Sequence, residues 1–348
     1  MSIPSQATHI VLSERPSGPV TSTTFSAKSV PIPDELAPGD VLVRVDWLSL
    51  DPAMRGWLND RRSYIKPVQI GEIMRAQGLG TVVKGGGKSV QVKGWGDYVV
   101  LKETELEKFT LPEGAYALDF ISTLGMPGKI KYIFLDCPFR KGLFDVGKVK
   151  SGETLVVSGA AGAVGSVVCQ LGKIKGARVI ALAGSDDKVA WLENELGVDK
   201  ALNYKSPTFV ADFKQHVGYL DVYFDNVGGE TLDLCLGRLN KGARIALCGA
   251  ISAYNEAKPR GLQGYLSLIS QRAKIEGFIV FDYADRFEGA IQEMSGWISE
   301  GKIKRKFHIV EGLEKCPEYL NLLYSGGNTG KLVVKVSQQA QPPTNSKL

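Results

Sequence analysis

The residues best suited to chemistry open the run Leu155-Val156-Val157-Ser158-Gly159-Ala160-Ala161-Gly162-Ala163-Val164-Gly165. Apolar residues lead into a turn of small side chains, after which Val164, Val167, Val168 and Leu171 recur at helical spacing. The pattern reads as a buried strand, a tight turn and a helix. Phosphate oxygens reach the unpaired N–H groups of a helix N-terminus only where the turn's side chains are tiny. Ala160, Ala161, Gly162 and Gly165 meet that condition, with Ala160 standing where the usual fingerprint has its first glycine. A small-residue turn alone is equally an ordinary tight turn. Here the run Arg178-Val179-Ile180-Ala181-Leu182-Ala183 supplies the second strand of a βαβ unit, the context the motif requires. The chemistry implied at Gly162, Ala163, Val164 and Gly165 is binding of a dinucleotide pyrophosphate.

The end of that second strand selects between dinucleotides. An Asp or Glu about 20 residues after the turn accepts hydrogen bonds from the adenosine ribose of NAD. This chain has Gly184-Ser185 there, followed by Asp186, Asp187 and Lys188. Gly184 leaves room for a 2′-phosphate, Ser185 can donate to it, and Lys188 adds positive charge one helical turn on. NADP(H) is therefore expected over NAD(H). Asp186 and Asp187 oppose this by charge, and are read as first-turn residues that complement the dipole of the next helix. The alternative for Lys188 is an ordinary exposed helix lysine.

The elements that must position these residues follow from the rest of the chain. Its 348 residues suffice for two domains with separate cores. Residues 1–124 are rich in short β-like runs such as Val41–Val45 and Gly80–Val83 between Pro and Gly clusters, which reads as an irregular barrel-like domain. From about 153 strands alternate with helices: further strands are expected at Tyr219–Asp225, Ala243–Leu247 and Ile275–Val280. That alternation is the signature of a doubly wound parallel α/β sheet. A helix around 284–300 follows, then a helix near 313–324 and a strand over Lys331–Val336. The expected division is 1–124 with 305–337 against 125–304, with a disordered polar tail over 338–348.

Composition excludes several classes. The net charge is +5, and the densest basic run, Lys302-Ile303-Lys304-Arg305-Lys306, has no aromatic interleaving of the kind that stacks on nucleic acid. No apolar run reaches the ~18–20 residues that cross a bilayer, and the first residues lack a signal pattern, so a cytoplasmic location is expected. Five cysteines are scattered with no CxxC pair, and none of the three histidines stands near Cys or Glu at ligand spacing. Neither a disulfide framework nor a metal site is expected, and no G-x-S-x-G elbow suggests a hydrolase.

Motifs spread over nearly the whole chain then identify a family. They are Asp51-Pro52-Ala53-Met54-Arg55-Gly56, Ser63-Tyr64, Gln69–Ala76, Gly125-Met126-Pro127-Gly128, the Ser158–Gly165 turn and Gly184-Ser185-Asp186-Asp187-Lys188. Phe224-Asp225-Asn226-Val227-Gly228-Gly229, Cys248-Gly249-Ala250-Ile251-Ser252-Ala253-Tyr254-Asn255, Gly277-Phe278-Ile279-Val280 and Gly327-Asn328-Thr329-Gly330-Lys331 complete the set. In these the sequence resembles the zinc-independent medium-chain dehydrogenase/reductases, and within them the alkenal/prostaglandin (leukotriene B4 12-hydroxydehydrogenase-like) double-bond reductases. The resemblance implies a Rossmann cofactor domain beside a GroES-like β-barrel domain, a homodimer, and NADP(H) as cofactor. It also implies hydride transfer to the β-carbon of an α,β-unsaturated aldehyde or ketone, without metal.

By the same resemblance Tyr204 joins Lys188 at the 2′-phosphate. Asn226, Cys248, Gly249, Ala250, Ile251, Phe278 and Val280 contact the cofactor from strand ends, and Asn328 reaches the nicotinamide ribose or amide. Tyr254 is the first candidate to donate a hydrogen bond to the enolate oxygen and Tyr64 the second, since a phenol with a pKa near ~10 stays protonated. Met54, Arg55 and Met126 are expected to shape the substrate cleft. Structural alternatives stand beside these roles: strand-end packing for Tyr204, helix capping for Asn226, pocket lining for either tyrosine, a surface ion pair for Arg55. Two segments depart from the family pattern. Residues 129–141 are longer and differently charged, and the connection over 85–95 is short. A quinone reductase and a non-catalytic NADPH-binding or sensor protein are the competing readings.

Overall fold

A computed structural model describes residues 3–85, 89–106, 114–124, 142–279 and 287–340. The described residues fall into two compact units, one drawn from 1–134 and 307–348, the other from 135–306. The expected division lay at 124/125 and 304/305.

The first unit is built mainly from strands. β1 (Gln6–Leu12) and β2 (Phe25–Pro31) form an antiparallel pair. β3 (Asp40–Ser49), β4 (Gln77–Lys84), β5 (Ser89–Lys93) and β6 (Tyr98–Lys102) belong to a six-stranded sheet, and α1 (Met54–Trp57) is a single turn after β3. Bridges His9↔Gly96 and Val11↔Ile73 tie β1 to this sheet, giving the irregular barrel that the alternating short strands imply. The core contains Leu12, Leu48, Met54, Met74 and Trp95, each fully buried.

The second unit follows the βα rhythm. β7 (Thr154–Val157), α2 (Ala163–Ile174), β8 (Arg178–Ala183), α3 (Asp186–Asn194) and β9 (Lys200–Asn203) form its first half. α4 (Phe209–Val217), β10 (Leu220–Asp225), α5 (Gly229–Leu236), β11 (Leu239–Leu247), α6 (Ser267–Gln271), β12 (Lys274–Gly277) and α7 (Phe287–Ser299) follow. All strand pairs in this sheet are parallel, in the order β12-β11-β10-β7-β8-β9. The sequence order reverses between β7 and β10, which makes the carboxyl ends of those two strands the switch point where ligands gather in open α/β sheets. Val156, Ile180, Tyr223 and Ile245 are buried at its centre, as strands covered on both faces require.

The chain then returns to the first unit. β13 (Phe307–Glu311) runs parallel to β14 (Lys331–Lys335), which pairs antiparallel with β3, and α8 (Cys316–Ser325) connects them. β9 and β13 were not among the expected strands; Lys-Ala-Leu-Asn at β9 lacks any β-branched residue. The start of the expected tail is placed: the Ala340 amide donates to the Ser337 carbonyl at 3.1 Å, Gln339 accepts from Arg44, and Ala340 is buried. Among the described residues no helix is long and apolar enough to cross a membrane.

Candidate functional site

The turn after β7 is formed by backbone constraint. Gly159 takes φ +57°, the left-handed conformation that favours glycine, so the next position is free to be Ala160. The Ala160 amide donates to the Leu182 carbonyl at 3.0 Å, locking the turn to the neighbouring strand end. Gly162 is the N-cap of α2 and brings no side chain to it. A Cβ on Gly165 would lie 2.4 Å from the Gly159 carbonyl oxygen and 2.7 Å from the Ala160 Cα, so only glycine lets the helix start so close to the strand end. The first amides of α2, from Ala163 and Val164, have no carbonyl one turn back within the helix and open at the switch point.

The 2′-phosphate candidates meet at the end of β8. A Cβ on Gly184 would lie 2.6 Å from the Tyr204 hydroxyl, so the phenol occupies the space the glycine leaves. The Tyr204 amide donates to the Ala183 carbonyl at 2.9 Å, which fixes this approach. Ser185 caps α3 through its backbone without a side-chain capping bond. Asp186 and Asp187 lie in that helix's first turn, and Asp186 accepts from the Asn203 amide at 2.8 Å, which occupies one of its oxygens. Burial lowers the Lys188 pKa, and the charge of Lys205 lowers it further. Two cations therefore share the region, and Lys205 is a residue to which the sequence reading gave no role. Burial raises the Tyr204 pKa, which keeps its phenol protonated.

A third cluster stands at the ends of β10, β11 and β12. Cys248, Gly249, Ala250, Tyr254 and Phe278 line one cleft of about 350 Å³. The Tyr254 hydroxyl accepts the Ala250 N–H at 3.2 Å, and a Cβ on Gly249 would lie 3.2 Å from the same oxygen. Phe278 packs edge-on against Phe224, with ring centroids 6.1 Å apart. Ile251 opens the short turn Ile251–Ala253, its amide donating to the Asn226 carbonyl at 3.2 Å. Asn226 is no helix cap: Gly228 caps α5, and the Asn226 side-chain amide donates to the Ser158 carbonyl at 2.7 Å, bridging two strand ends. Burial and the neighbouring Asp225 carboxylate push the Cys248 thiol up to about 12.

The remaining candidates belong to the other unit. Tyr64 is half exposed, and Trp57 Nε1 approaches its hydroxyl at 3.4 Å. Burial, with the Asp51 carboxylate adding to it and the Trp57 hydrogen bond opposing, raises its pKa. The Asn328 side chain donates to the Gly330 carbonyl at 3.0 Å. Met54 and Arg55, expected to shape the substrate cleft, lie inside the first unit. Met54 is fully buried in the core, and Arg55, only 3% exposed, donates to the Gly18 and Pro16 carbonyls and to Asn59 at 2.7–2.9 Å. Its guanidinium is a strut for the 16–18 loop, and burial lowers its pKa. Met126, Val280 and the 129–141 segment lie outside the described residues. Among the described residues no three His, Cys, Asp or Glu side chains are placed to hold a metal ion.

Comparison with known proteins places this geometry. Residues 8–109 match a family described as the N-terminal domain of oxidoreductase, and residues 163–296 one described as zinc-binding dehydrogenase. The chain is 40% identical over 342 residues to the Bacillus subtilis protein YfmJ, covering 94% of this chain and 97% of that protein. It is 36% identical to the NADPH-dependent curcumin reductase of Escherichia coli, covering 94% and 96%. The crystal structure of CurA from Vibrio vulnificus in complex with NADPH matches with a TM-score of 0.85 at 36% identity, covering 95% of this chain and 99% of that one.

Proposed function

This chain belongs to the medium-chain dehydrogenase/reductase family of oxidoreductases, and from that premise we propose that it uses NADPH to reduce the carbon–carbon double bond of α,β-unsaturated aldehydes and ketones. The observation that carries the reading is the Tyr254 phenol, held by the Ala250 amide over Gly249 in a cleft at the sheet's carboxyl edge. The named substrate of the Escherichia coli relative, curcumin, is itself a conjugated enone.

The residues present fit NADPH. The approach that a Cβ on Gly165 would fill suits a pyrophosphate against the first amides of α2. Lys188 and Lys205, with Tyr204 and Ser185, suit a 2′-phosphate beside Gly184. When bound, the cofactor supplies the hydride that the β-carbon accepts. Negative charge then develops on the substrate's carbonyl oxygen as an enolate, and Tyr254 donates a hydrogen bond to that oxygen. Phe278 and the Cys248–Ala250 backbone line the same cleft as Tyr254. Tyr64 remains the second candidate phenol by the family resemblance alone, and a proton from solvent delivered to the α-carbon completes the reduction.

The test is NADPH oxidation against a panel of enals, enones and quinones, with Tyr254→Phe and Tyr64→Phe beside the wild type. Tyr254→Phe keeps the ring and removes the donor; it should lower enone turnover by up to about a hundredfold while leaving NADPH affinity nearly intact. Tyr64→Phe should alter substrate KM more than kcat. Wild-type enone turnover in Tyr254→Phe refutes its role, and activity on quinones alone refutes the substrate class.

A further inference from the structure

Asp225, the last residue of β10, is fully buried and is not itself among the residues that line the cleft. A single oxygen of it, Oδ1, accepts four donors: the Ser158 hydroxyl at 2.9 Å, the Tyr223 hydroxyl at 2.7 Å, and the Val227 and Gly228 amides at 2.9 Å each. The other oxygen, Oδ2, is buried without a hydrogen-bond partner. A neutral amide oxygen has two lone pairs for such donors, whereas an anionic oxygen attracts more of them and holds each more strongly. A buried acceptor left empty beside one that is over-subscribed needs an explanation beyond packing.

Tyr223 belongs to β10 itself, and the other three donors belong to the connections that follow β7 and β10. Ser158 follows β7 and its hydroxyl accepts the Asn226 amide at 2.9 Å. The Asn226 carbonyl accepts the Ile251 amide at 3.2 Å, and the Val227 carbonyl accepts the Ser252 amide at 3.1 Å and the Ser252 hydroxyl at 2.6 Å. The turn held in this way delivers Tyr254, whose own amide donates to the Ile251 carbonyl at 3.4 Å. The backbone carbonyl of Asp225 meanwhile accepts the Cys248 and Gly249 amides at 2.9 and 3.0 Å, fixing the strand end that faces the Tyr254 hydroxyl.

We propose that Asp225 is a positioning residue for the reduction: its Oδ1 gathers the 226–228 loop and Ser158, and through the 251–252 turn it sets where the Tyr254 hydroxyl stands. The proposal rests on the assignment of Tyr254 as hydrogen-bond donor for its catalytic consequence, but its geometric content does not. Asp225→Asn keeps shape and volume, lowers the acceptor strength of Oδ1, and puts an amide group where Oδ2 has no partner. The pyrophosphate turn starts beside Ser158 but is held by the Ala160 amide on the Leu182 carbonyl and the Gly162 amide on the Gly159 carbonyl, and Lys188 and Lys205 lie on other connections, so NADPH binding should fall less than turnover.

Two readouts on the full-length protein test this. The first is a double-mutant cycle in kcat for an enone: Asp225→Asn should lose roughly tenfold or more, the scale of a weakened charge-assisted hydrogen bond, with the NADPH Kd within about threefold. Added to Tyr254→Phe, it should lose little more than Tyr254→Phe alone, because residues acting as a unit are not additive. The second is independent of activity: 3-fluorotyrosine placed at position 254 and followed by fluorine NMR. Asp225→Asn should shift that resonance. Asp199→Asn, which removes a carboxylate bonded to Lys173 and the Val179 amide elsewhere in this unit, should not. Ser158→Ala, which removes one donor and leaves the carboxylate, should shift it in smaller measure and serves if Asp225→Asn fails to fold. An unmoved resonance in the folded variants overturns the positioning role whatever the enzyme reduces. A moved resonance with fully additive kcat losses upholds the geometry and overturns the claim that Asp225 acts on turnover through Tyr254.

Discussion

Gly165→Ala isolates the pyrophosphate turn from every other part of the site. Gly165 carries no positive φ, so the substitution brings no backbone strain and acts only through the added methyl. That methyl would stand 2.4 Å from the Gly159 carbonyl oxygen, where ordinary contact begins at 3.4 Å, so the start of α2 and the strand end must part by about 1 Å. Both neighbours are backbone and cannot rotate aside. Overpacking of this kind costs about 1–3 kcal/mol, which lowers Tm by a few degrees at roughly 2–4 °C per kcal/mol for a domain of this size. The same displacement moves the Ala163 and Val164 amides off the pyrophosphate, and a misplacement near ~1 Å can cost on the order of a hundredfold. NADPH and NADH share the pyrophosphate, so both should lose at least about tenfold in affinity. The assay is fluorescence titration with each cofactor beside a thermal melt. At Gly162 the corresponding contact is 3.1 Å, so Gly162→Ala should be the milder change. Wild-type affinity for both cofactors in Gly165→Ala, with Tm unchanged, refutes the reasoning.

The other predictions concern charge, the thiol and metal. Lys188→Ala should weaken NADPH binding about ten- to a hundredfold, the worth of a charged hydrogen bond of ~1.5–3 kcal/mol, and leave NADH binding unchanged; equal loss for both removes Lys188 from the 2′-phosphate. Because burial and Lys205 lower the Lys188 pKa, the cation is present below that pKa and lost above it. Preference for NADPH over NADH, measured as a ratio of Kd values across pH, should therefore decline on the alkaline side earlier than an ordinary lysine near ~10.4 would give. With its pKa pushed up to about 12, the Cys248 thiol should resist iodoacetamide at pH 8, where about one part in ten thousand is thiolate. Peptide mapping that finds it alkylated as fast as an exposed cysteine contradicts this. Exhaustive chelation should leave NADPH oxidation intact, since no cluster of ligand-type side chains is placed for a metal among the described residues; activity lost and restored by zinc counts against it.

What could be read from the sequence tracks how locally each feature is determined. The turn at Gly159–Gly165 is set by residues adjacent in the chain, so its strand, glycines and helix are visible in one line of sequence, and the parallel sheet follows from the repeat of that unit. The surroundings of Met54 and Arg55 were not legible, for the opposite reason. Their motif marks a position in the family, but whether a side chain faces a cleft or the core depends on Pro16, Gly18 and Asn59, which close around Arg55 only in three dimensions. The short β9, without β-branched residues, owes its strand form to pairing with β8 and was invisible to propensity.

Asp225 shows the same limit from within the site. It stood in plain view beside Asn226, in a motif whose neighbours were assigned to the cofactor. Nothing in composition or spacing tells that its Oδ1 gathers donors from Ser158, Tyr223 and the two residues after Asn226 while Oδ2 gathers none. The residues that touch a ligand are constrained by the ligand's chemistry and leave a pattern of residue types. Those that hold them in place are constrained only by what converges on them, and here one of the four donors, Ser158, comes from 67 residues away in the chain. A buried carboxylate at a strand's carboxyl end, one residue before a side chain expected at the cofactor, is therefore a signal to examine the loops on either side of it for shared donors.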